Sequence, residues 1–511
     1  MKGRFILAHD AGTGGNKAVL TDLQGNILHT QFQGYHVDYP KPGWAEQDPD
    51  LLWRAVAETS KKVIEESGVD AKQITGLCVS AQMLNILPVD DQGRPLIRML
   101  SWLDTRSVPQ ADRVIQAPGK AFFFTRTGNV PTAKDMIPKI LWVKEERPKI
   151  WKNTFKLLDC KEYILHRITG RFVTDWHGAS MYFLFDPRTR MWCDEVCQFL
   201  GIPRERLPET HPCVDVIGEV QPDAAVEMGL RPGTPVVVGA GDLGVAQVGV
   251  GAVGTGKVNL CVSTATWIAV SSDRFVNDPE RPFWILSHVD PQKWIVSGEM
   301  ETGGGSLMWF RDNLCQTESE RAEKEGLSTY QLLSRMVEHV EPGSNGLLFT
   351  PWLSGERAPV LDHYLKGAFV GLTMGHTKAH MARAIMEGVA FHLRWILEQL
   401  EKLGLRIEAV TASGGGNTSP VWSQIISDVI QREMHVVAFP QEAGALGAAL
   451  TAAVGLGVYP DMEAVDGVVR FSRVVRPDAR HFNTYDRLYK EYRSLYDVFS
   501  PIYRRMHESG I

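Results

Sequence analysis

The chain has 511 residues, of which 44% are hydrophobic and 22% charged, and its formal net charge is −6. This size and balance are typical of a globular protein with two or more domains. The mild negative charge gives no reason to expect nucleic acid or an anionic membrane as a partner. No uninterrupted apolar segment is long enough to span a bilayer.

The N-terminal apolar run meets His9 and Asp10, which predicts a strand and not a signal peptide. The seven cysteines are scattered, Cys193 and Cys197 being the only close pair, and no zinc-type spacing occurs. We therefore expect a cytoplasmic protein with reduced thiols. The sequence does not fix the oligomeric state, and a homodimer is compatible with it.

The first 33 residues predict β-hairpins around a glycine-rich turn at residues 10–16. Such a turn can point several backbone N–H groups inward, and a nest of this kind binds phosphate. Thr13 offers a hydroxyl, Lys17 a cation, and Asp10 a carboxylate suited to a hydrated Mg²⁺. An ordinary glycine-rich hairpin explains the turn equally well.

A helix capped by Asp48 and ended by Gly68 is expected next, followed by a strand over 74–80. Further along, Trp102 stands near Asp104 and Arg106 at a strand end. A ring that lies under C–H groups beside polar side chains suits a sugar site. A core tryptophan beside a surface ion pair is the alternative.

Residues 119–207 predict mainly helices, one over 139–142 and another over 159–169. Residues 173–175 and 179–180 are expected in a loop. A strand over 236–238 then leads into a glycine-rich turn.

Asp242 ends this turn and is the only charged residue between Arg231 and Lys257. One interpretation makes it a helix N-cap. A second, a dinucleotide-binding turn, is excluded because no acidic residue follows about 20 positions on. A third makes it a general base that accepts a proton from a substrate hydroxyl.

The second half of the chain repeats the order of the first. Strands over 258–263 and 267–271 flank Thr264-Ala265-Thr266, a strand over 295–298 precedes Gly303-Gly304, and a strand over 407–412 runs into 413–417. Because hairpins followed by strand–helix units occur twice, we predict an internal duplication of the fold. The segment 251–257 is close to a P-loop, but Val258 replaces the hydroxyl residue and a strand follows, so that interpretation is excluded.

Several of these motifs together resemble the FGGY carbohydrate kinases, of the actin–hexokinase–Hsp70 superfamily, over nearly the whole chain. The most specific segments are 367–372 and 380–388, which fit the family's C-terminal signature. Residues 10–17, 264–266 and 413–417 are similar to its two phosphate motifs and its adenosine motif. Residues 139–142 match the N-terminal signature only in part.

The resemblance implies an α/β protein with two ribonuclease-H-like domains and an ATP cleft between them. It assigns residues 1–250 to the sugar-binding domain and 251–511 to the nucleotide-binding domain. It also implies ATP and Mg²⁺ as ligands, a small sugar as the other substrate, and Asp242 as the catalytic base.

The same resemblance implies three groups of site residues. Those for the sugar are Gln82, Met83, Leu84, Trp102, Asp104 and Asp242. Those for ATP are Gly12, Thr13, Gly14, Asn16, Lys17, Thr264, Ala265, Thr266, Gly303, Gly304, Gly415, Gly416, Asn417 and Ser419. Asp10 is the residue implied for the metal.

The segment 102–106 looks most like the xylulokinase branch, which implies conversion of D-xylulose to D-xylulose 5-phosphate. Met83-Leu84-Asn85 departs from that branch's Met-His-Gly, so one hydroxyl contact is missing and Leu84 and Asn85 are expected to tune specificity. Another keto-sugar or a polyol therefore stays open as the acceptor. A non-catalytic sugar or nucleotide sensor on the same fold is the alternative of another class.

Overall fold

The computed structural model describes residues 4–276, 278, 280 and 283–510, and it has two lobes, each built on one large β-sheet. The strands of the first lobe are β1 (Phe5–Ala11), β2 (Gly15–Asp22), β3 (Ile27–Gly34), β4 (Glu46–Gln47), β5 (Ile74–Ala81), β6 (Leu87–Val89), β7 (Met99–Leu100), β8 (Lys156–Leu158), β9 (Val173–Asp175), β10 (Phe185–Asp186), β11 (Met191–Trp192), β12 (Glu209–His211), β13 (Val216–Glu219) and β14 (Pro235–Val237). Its helices are α1 (Pro49–Ser67), α2 (Val108–Gln116), α3 (Lys120–Thr127), α4 (Met136–Glu146), α5 (Pro148–Asn153), α6 (Cys160–Thr169), α7 (Trp176–Met181), α8 (Asp194–Leu200), α9 (Pro222–Met228) and α10 (Asp242–Gly249).

The first sheet has the order β3-β2-β1-β5-β14-β13. Strands β1, β2 and β3 are antiparallel, whereas β1, β5 and β14 run parallel to one another. Asp10 pairs with Ser80, and Ala81 forms a bridge with Gly241. The carboxyl ends of three parallel strands therefore meet at one edge, which is where open α/β sheets bind ligands.

The second lobe continues with further strands and helices. Its strands are β15 (Lys257–Val262), β16 (Thr266–Ser272), β17 (Trp284–Ser287), β18 (Trp294–Met300), β19 (Leu348–Thr350), β20 (Ala368–Val370), β21 (Ala409–Ser413), β22 (Met434–Val437) and β23 (Phe471–Val475). Its helices are α11 (Gly304–Leu314), α12 (Gln316–Lys324), α13 (Thr329–Glu338), α14 (Lys378–Lys402), α15 (Pro420–Ile430), α16 (Ala443–Gly455) and α17 (Phe482–Glu508).

The second sheet has the order β17-β18-β16-β15-β21-β22-β23. Its central part, β18-β16-β15-β21-β22, repeats the first sheet's β3-β2-β1-β5-β14, with an antiparallel meander followed by two parallel strands. The predicted duplication and the two-lobed α/β fold are thus confirmed.

Helix α1 shows how local sequence sets an element. The Asp48 carboxylate accepts from the N–H of Asp50, Pro49 occupies the first turn, and Gly68 ends the helix in the left-handed conformation. Its buried face includes Leu52 and Val56, which pack in the core of the first lobe. The cap, the start and the stop are those predicted.

Helices α10 and α16 cross at the junction of the lobes, and α16 also packs on β1 and β5. A Cβ atom at Gly249 would overlap the carbonyl oxygen of Ala443, and one at Gly447 would overlap that of Val245. The crossing therefore requires glycine on both helices. The start of α10 is held near the sheet edge of the first lobe by the bridge between Ala81 and Gly241.

The structure corrects the loop expected at 173–180. Residues 173–175 form β9, which pairs with the distant β12, and α7 follows directly with Asp175 as its N-cap. Pairing with a strand more than thirty residues away leaves no local signal. The long C-terminal helix α17 was not predicted. Within the described part of the chain, none of the helices is long and apolar enough to cross a membrane.

Candidate active site

The turn between β1 and β2 lies at the sheet edge of the first lobe. The Gly12 N–H donates to the carbonyl of Gly15 at 2.9 Å. The Thr13 carbonyl accepts from Gln47 Nε2 at 2.9 Å, and its hydroxyl accepts from the Trp102 indole N–H at 2.8 Å. A Cβ atom at Gly14 would meet no atom within 4 Å. The turn is therefore held from one side and open on the other.

Asp10 and Lys17 face each other across the two strands. Burial raises the pKa of the Asp10 carboxyl, and the positive charge of Lys17 opposes this shift. Asp10 Oδ1 is buried without a hydrogen-bond partner. Lys17 Nζ donates to the Gln441 carbonyl at 2.6 Å and lies 3.5 Å from Glu442 Oε1. Lys17 thus joins the first turn to the segment that precedes α16.

Asp242 is the first residue of α10, and Gly241 occupies the N-cap position. Its side chain is accessible to solvent, and Oδ1 accepts from the N–H of Leu243 at 2.8 Å. Protein surrounds the carboxyl on its other sides, and this burial, together with the negative charge of Asp10, raises the pKa of Asp242 to about 7. A carboxyl with this pKa in a cleft is suited to accept a proton near neutral pH. It is not the helix cap.

The turn after β15 forms the corresponding site in the second lobe. The N–H groups of Gly304 and Gly305, at the start of α11, donate to the carbonyls of Ser263 and Thr264 at 2.8 and 3.0 Å. A Cβ atom at Gly303 would overlap the Thr266 side chain, so this close approach requires glycine.

The three residues 264–266 of this second turn differ in how far they are exposed to solvent. Thr264 is exposed and Ala265 is half-buried. Thr266 is buried, and its hydroxyl donates to the Ser263 carbonyl at 3.2 Å. Thr264 can therefore reach a ligand, whereas the Thr266 side chain supports the turn from within.

A cavity of about 920 Å³ adjoins this turn. It brings together five of the residues predicted for ATP, namely Thr264, Gly304, Gly415, Gly416 and Ser419. The other side of the cavity, which sequence reasoning missed, comes from α11, α13 and α14: Leu307, Met308, Ser328, Tyr330, Gln331, Ser334, Arg335, Glu338 and Met386. The cavity is wide enough for a nucleoside and has an apolar wall.

Asn16 and Asn417, both predicted for ATP, face away from this region. Asn16 is fully buried, and its amide nitrogen lies 2.7 Å from the Thr59 hydroxyl and 3.0 Å from the His9 ring. Asn417 is also buried, and its amide donates to the Ser413 carbonyl at 2.6 Å. Both asparagine side chains therefore support the turns in which they lie, and their assignment as ATP contacts stays a prediction that these hydrogen bonds do not favour.

The sugar side lies between Asp242 and the end of β5. A Cβ atom at Gly241 would overlap the sulfur of Met83, so Met83 lies directly against the turn that carries Asp242. Trp102 is half-buried, and its indole faces the first turn through Thr13. Gln82 donates to Gln47 Oε1 at 2.7 Å, while its own Oε1 is buried without a partner. These side chains border one region.

Leu84 and Asp104 were also predicted to contact the sugar, and the structure gives them other roles. Leu84 is 5% exposed, packs in the apolar cluster of the first lobe, and has a positive φ of 67°. Asp104 is fully buried, with its carboxylate bound to the Arg106 guanidinium and to the Ala45 N–H at 2.7 Å. Both side chains are therefore engaged inside the protein, and their roles as sugar contacts stay predictions that this packing does not favour.

Four charged residues form a group that carries no sequence-based assignment, and one of them, Glu299, interacts electrostatically with Asp242. Glu299 and Glu301 lie at the end of β18, where they contact Arg357, and Lys134 of the first lobe reaches Glu301. The two acidic residues at 299 and 301, just before the glycines 303–305, are a pattern from which these carboxylates could have been selected as candidates. Nothing local, however, indicates the pairing with Arg357, which is more than fifty positions away.

Comparison with known proteins shows which protein family the chain matches. The N-terminal domain of the FGGY family of carbohydrate kinases matches residues 5–249, and its C-terminal domain matches residues 249–456. A gluconokinase from Bacillus subtilis is 30% identical over 501 residues, which cover 98% of this chain and 96% of the relative. A xylulose kinase from the same organism is 29% identical over 498 residues, covering 96% and 97%.

Solved structures agree with this result. The crystal structure of a ligand-bound xylulose kinase from Lactobacillus acidophilus has a TM-score of 0.90 and 26% sequence identity, and the match covers 98% of this chain and 99% of that one. The two matched domains lie in the order of the two lobes, and together they span most of the chain. The chain therefore belongs to the FGGY family of carbohydrate kinases and is an ATP-dependent carbohydrate kinase.

Proposed function

We propose that this kinase transfers the γ-phosphoryl group of ATP to a primary hydroxyl of a neutral keto-sugar, and D-xylulose, giving D-xylulose 5-phosphate, is the first candidate. The observation that carries the proposal is the Asp242 carboxyl, beside Asp10 and the glycine-rich turn. This carboxyl is accessible to solvent, and its pKa is raised to about 7. We assign sugar binding mainly to residues 1–250 and ATP binding mainly to residues 251–511.

In the proposed reaction, Asp242 accepts the proton of the sugar hydroxyl while the hydroxyl oxygen bonds to the γ-phosphorus. The bond from that phosphorus to the β–γ bridging oxygen breaks, and ADP leaves. Positioned N–H groups and cations stabilise the charge on the transferred group. We assign this task to the two turns, with Thr13, Gly14 and Lys17 on one side and Thr264, Ala265 and Gly303 on the other. Gly12 and Gly304 are assigned to the shape of the turns, because their own N–H groups donate to the carbonyls of Gly15 and Ser263.

The adenosine part of ATP is assigned to the cavity of the second lobe. Gly415 borders open space, since a Cβ atom there would meet nothing within 4 Å. Gly416 lies against the side chain of Val262, and Ser419 is hydrogen-bonded to Ser334 at 3.0 Å. The base therefore enters between α13 and the turn at residues 414–418, with the triphosphate directed to Thr264.

The residues around Asp10 fit a Mg²⁺ ion. Asp10 Oδ1 is buried without a partner, and a second carboxyl, that of Asp242, interacts with it electrostatically. No cluster of three or more histidine, cysteine or acidic side chains able to hold a metal occurs among the described residues. This donor set suits an ion that keeps most of its waters. When bound with ATP, Mg²⁺ neutralises phosphate charge, and Asp10 would hold it.

The acceptor can be tested directly. Purified protein should release ADP in the presence of D-xylulose, in a coupled assay run over pentuloses, hexuloses, polyols and D-gluconate at matched concentrations. D-Gluconate belongs in the panel because a gluconokinase is as similar to the chain as a xylulose kinase. Absence of acceptor-dependent ADP release across the panel would contradict the kinase proposal and favour a sensor. Release with gluconate alone would contradict only the neutral acceptor.

A further inference from the structure

A half-buried group of charged side chains, the Arg357 cluster, lies at the end of β18 and comprises Lys134, Glu299, Glu301 and Arg357. Arg357 Nη1 lies 3.3 Å from Glu299 Oε2, and Nη2 lies 3.1 Å from Glu301 Oε1. Lys134 Nζ lies 3.1 Å from the other oxygen of Glu301. The side chains of Arg357 and Glu299 are 12% and 20% exposed. One guanidinium is therefore shared by two carboxylates.

The two carboxylates are not equivalent. Arg357 and Lys134 lower the pKa of Glu301 against the opposing effect of burial. Burial raises the pKa of Glu299 to about 7 in spite of Arg357, and the charges of Glu301 and Asp242 add to the shift. Each carboxylate oxygen of Glu301 thus pairs with a cation, one with Arg357 and the other with Lys134. Glu299, in contrast, is close enough to Asp242 to interact with it.

Strand pairing shows which way Glu299 faces. It stands directly opposite Trp267 of β16, so both side chains lie on the same face of the sheet. Trp267 packs against an apolar cluster that contains Leu243, the neighbour of Asp242, and that Met83 and Trp102 also contact. Glu299 therefore lies on the face of the second sheet that is turned toward the region assigned to the sugar.

We infer that Glu299 determines acceptor specificity: it accepts hydrogen bonds from a sugar hydroxyl remote from Asp242, and it occupies Arg357 so that no guanidinium is free for a carboxylate. The inference rests on the proposed function and selects neutral sugars and polyols over aldonates. An aldonate in this region would meet Asp242, Asp10 and Glu299. Lys139 offers it no help, because its ammonium is buried and donates to the carbonyls of Leu84 and Lys134 at 2.8 and 2.6 Å.

The test uses Glu299→Gln, which keeps the size of the side chain and removes its charge. Values of kcat/KM for D-xylulose and D-gluconate are measured in the wild type and the variant. At pH 8, above the raised pKa of Glu299 of about 7, we expect the value for D-xylulose to fall about tenfold, since a hydrogen bond to a charged acceptor becomes one to a neutral amide oxygen. Arg357 then becomes available to a carboxylate, so the gluconate-to-xylulose ratio should rise at least about tenfold. The KM for ATP should not change.

Glu301→Gln is the matched control, since it lies two residues away on the same strand and also contacts Arg357. Because Glu301 also holds Arg357, the readout that separates the two variants is the acceptor contact: kcat/KM for D-xylulose in Glu301→Gln should stay within about threefold of the wild type. An equal fall in kcat/KM for D-xylulose in both variants, or no change in Glu299→Gln, would overturn the inference and leave the kinase proposal intact. A wild type that prefers gluconate overturns it as well. If Glu299→Gln does not fold, Glu299→Asp serves: the neutral preference should persist with a raised KM for D-xylulose, and an unchanged KM would refute the contact.

Discussion

Replacing Asp242 by asparagine tests whether its carboxylate acts in catalysis or only supports the structure. Asparagine has nearly the same shape, and its side-chain oxygen can still accept the N–H of Leu243, the hydrogen bond at 2.8 Å that Asp242 makes. The variant loses the group that we propose accepts the proton of the sugar hydroxyl. General bases contribute roughly 10²- to 10⁴-fold to rates. We expect kcat to fall by at least about 10³-fold, with binding of D-xylulose nearly unchanged.

The same substitution should not destabilise the fold. The pKa of Asp242 is raised to about 7 from 3.8, so the ionised form is disfavoured in the folded state. A shift of this size corresponds to about 4 kcal/mol at pH above 7. Because the side chain is accessible to solvent, screening reduces this to about 1 kcal/mol. At pH 8 the variant should therefore be as stable as the wild type, or more stable by about 1 kcal/mol.

Kinetics and denaturant unfolding at pH 8 measure the two quantities, and Asp104→Asn is the control. Asp104 is buried, and its carboxylate pairs with the Arg106 guanidinium at 2.8 Å. Removing one partner of a buried pair costs about 3–5 kcal/mol, so the control should lose stability. If Asp242→Asn kept more than a tenth of the wild-type kcat, or lost stability as Asp104→Asn does, the base would lie elsewhere.

Three further results are expected. The kcat/KM for the sugar should rise with pH up to about 7 and then level off, because Asp242 accepts a proton only above its raised pKa of about 7; a flat profile between pH 5 and 8 would contradict this. Gly415→Val should raise the KM for ATP about tenfold or more. It should not lower stability, because the new side chain would project into open space. Gly467→Val, which is equally unobstructed, is the control, and equal KM values for ATP in the two variants would exclude this cavity as the ATP site. Asn417→Ala should lower the free energy of unfolding by about 1–3 kcal/mol, since the buried carbonyl of Ser413 loses its donor; calorimetry and ATP titration together test this, and weaker ATP binding at unchanged stability would restore it as a ligand contact.

The parts of the fold that the sequence predicts are those with local causes. Asp48, Pro49 and Gly68 set the ends of α1 through capping and backbone preference, and all three acted as expected. The glycine-rich turn at 303–305 was visible because close approach to Thr266 and to the Ser263 carbonyl leaves few other choices, whereas the turn at 12–14 was visible from its composition alone. The duplication was visible because the order of hairpins and strand–helix units repeats.

What the sequence could not give is which way a polar side chain points. Asn16 lies two residues from Gly14, yet it faces a histidine and a threonine inside the first lobe. Asp104 lies two residues from Trp102, yet its partner is the backbone of Ala45, on a distant segment. Residues two apart share a face in a regular strand, but the backbone at these turns is irregular, so a motif letter alone does not separate a ligand contact from a support.

The two crossing helices, α10 and α16, each lie at one of the two carboxyls of the proposed active site, Asp242 and Asp10. Helix α10 begins at Asp242, and its last turn crosses α16 through Gly249. The first turn of α16 lies against Asp10, since a Cβ atom at Gly444 would overlap the Asp10 carboxylate. One helix therefore carries the proposed base and the other supports the proposed metal ligand. Because the crossing is close-packed through glycines, it supports the spacing of these two carboxyls together with the first sheet, in which Ala81 forms a bridge with Gly241.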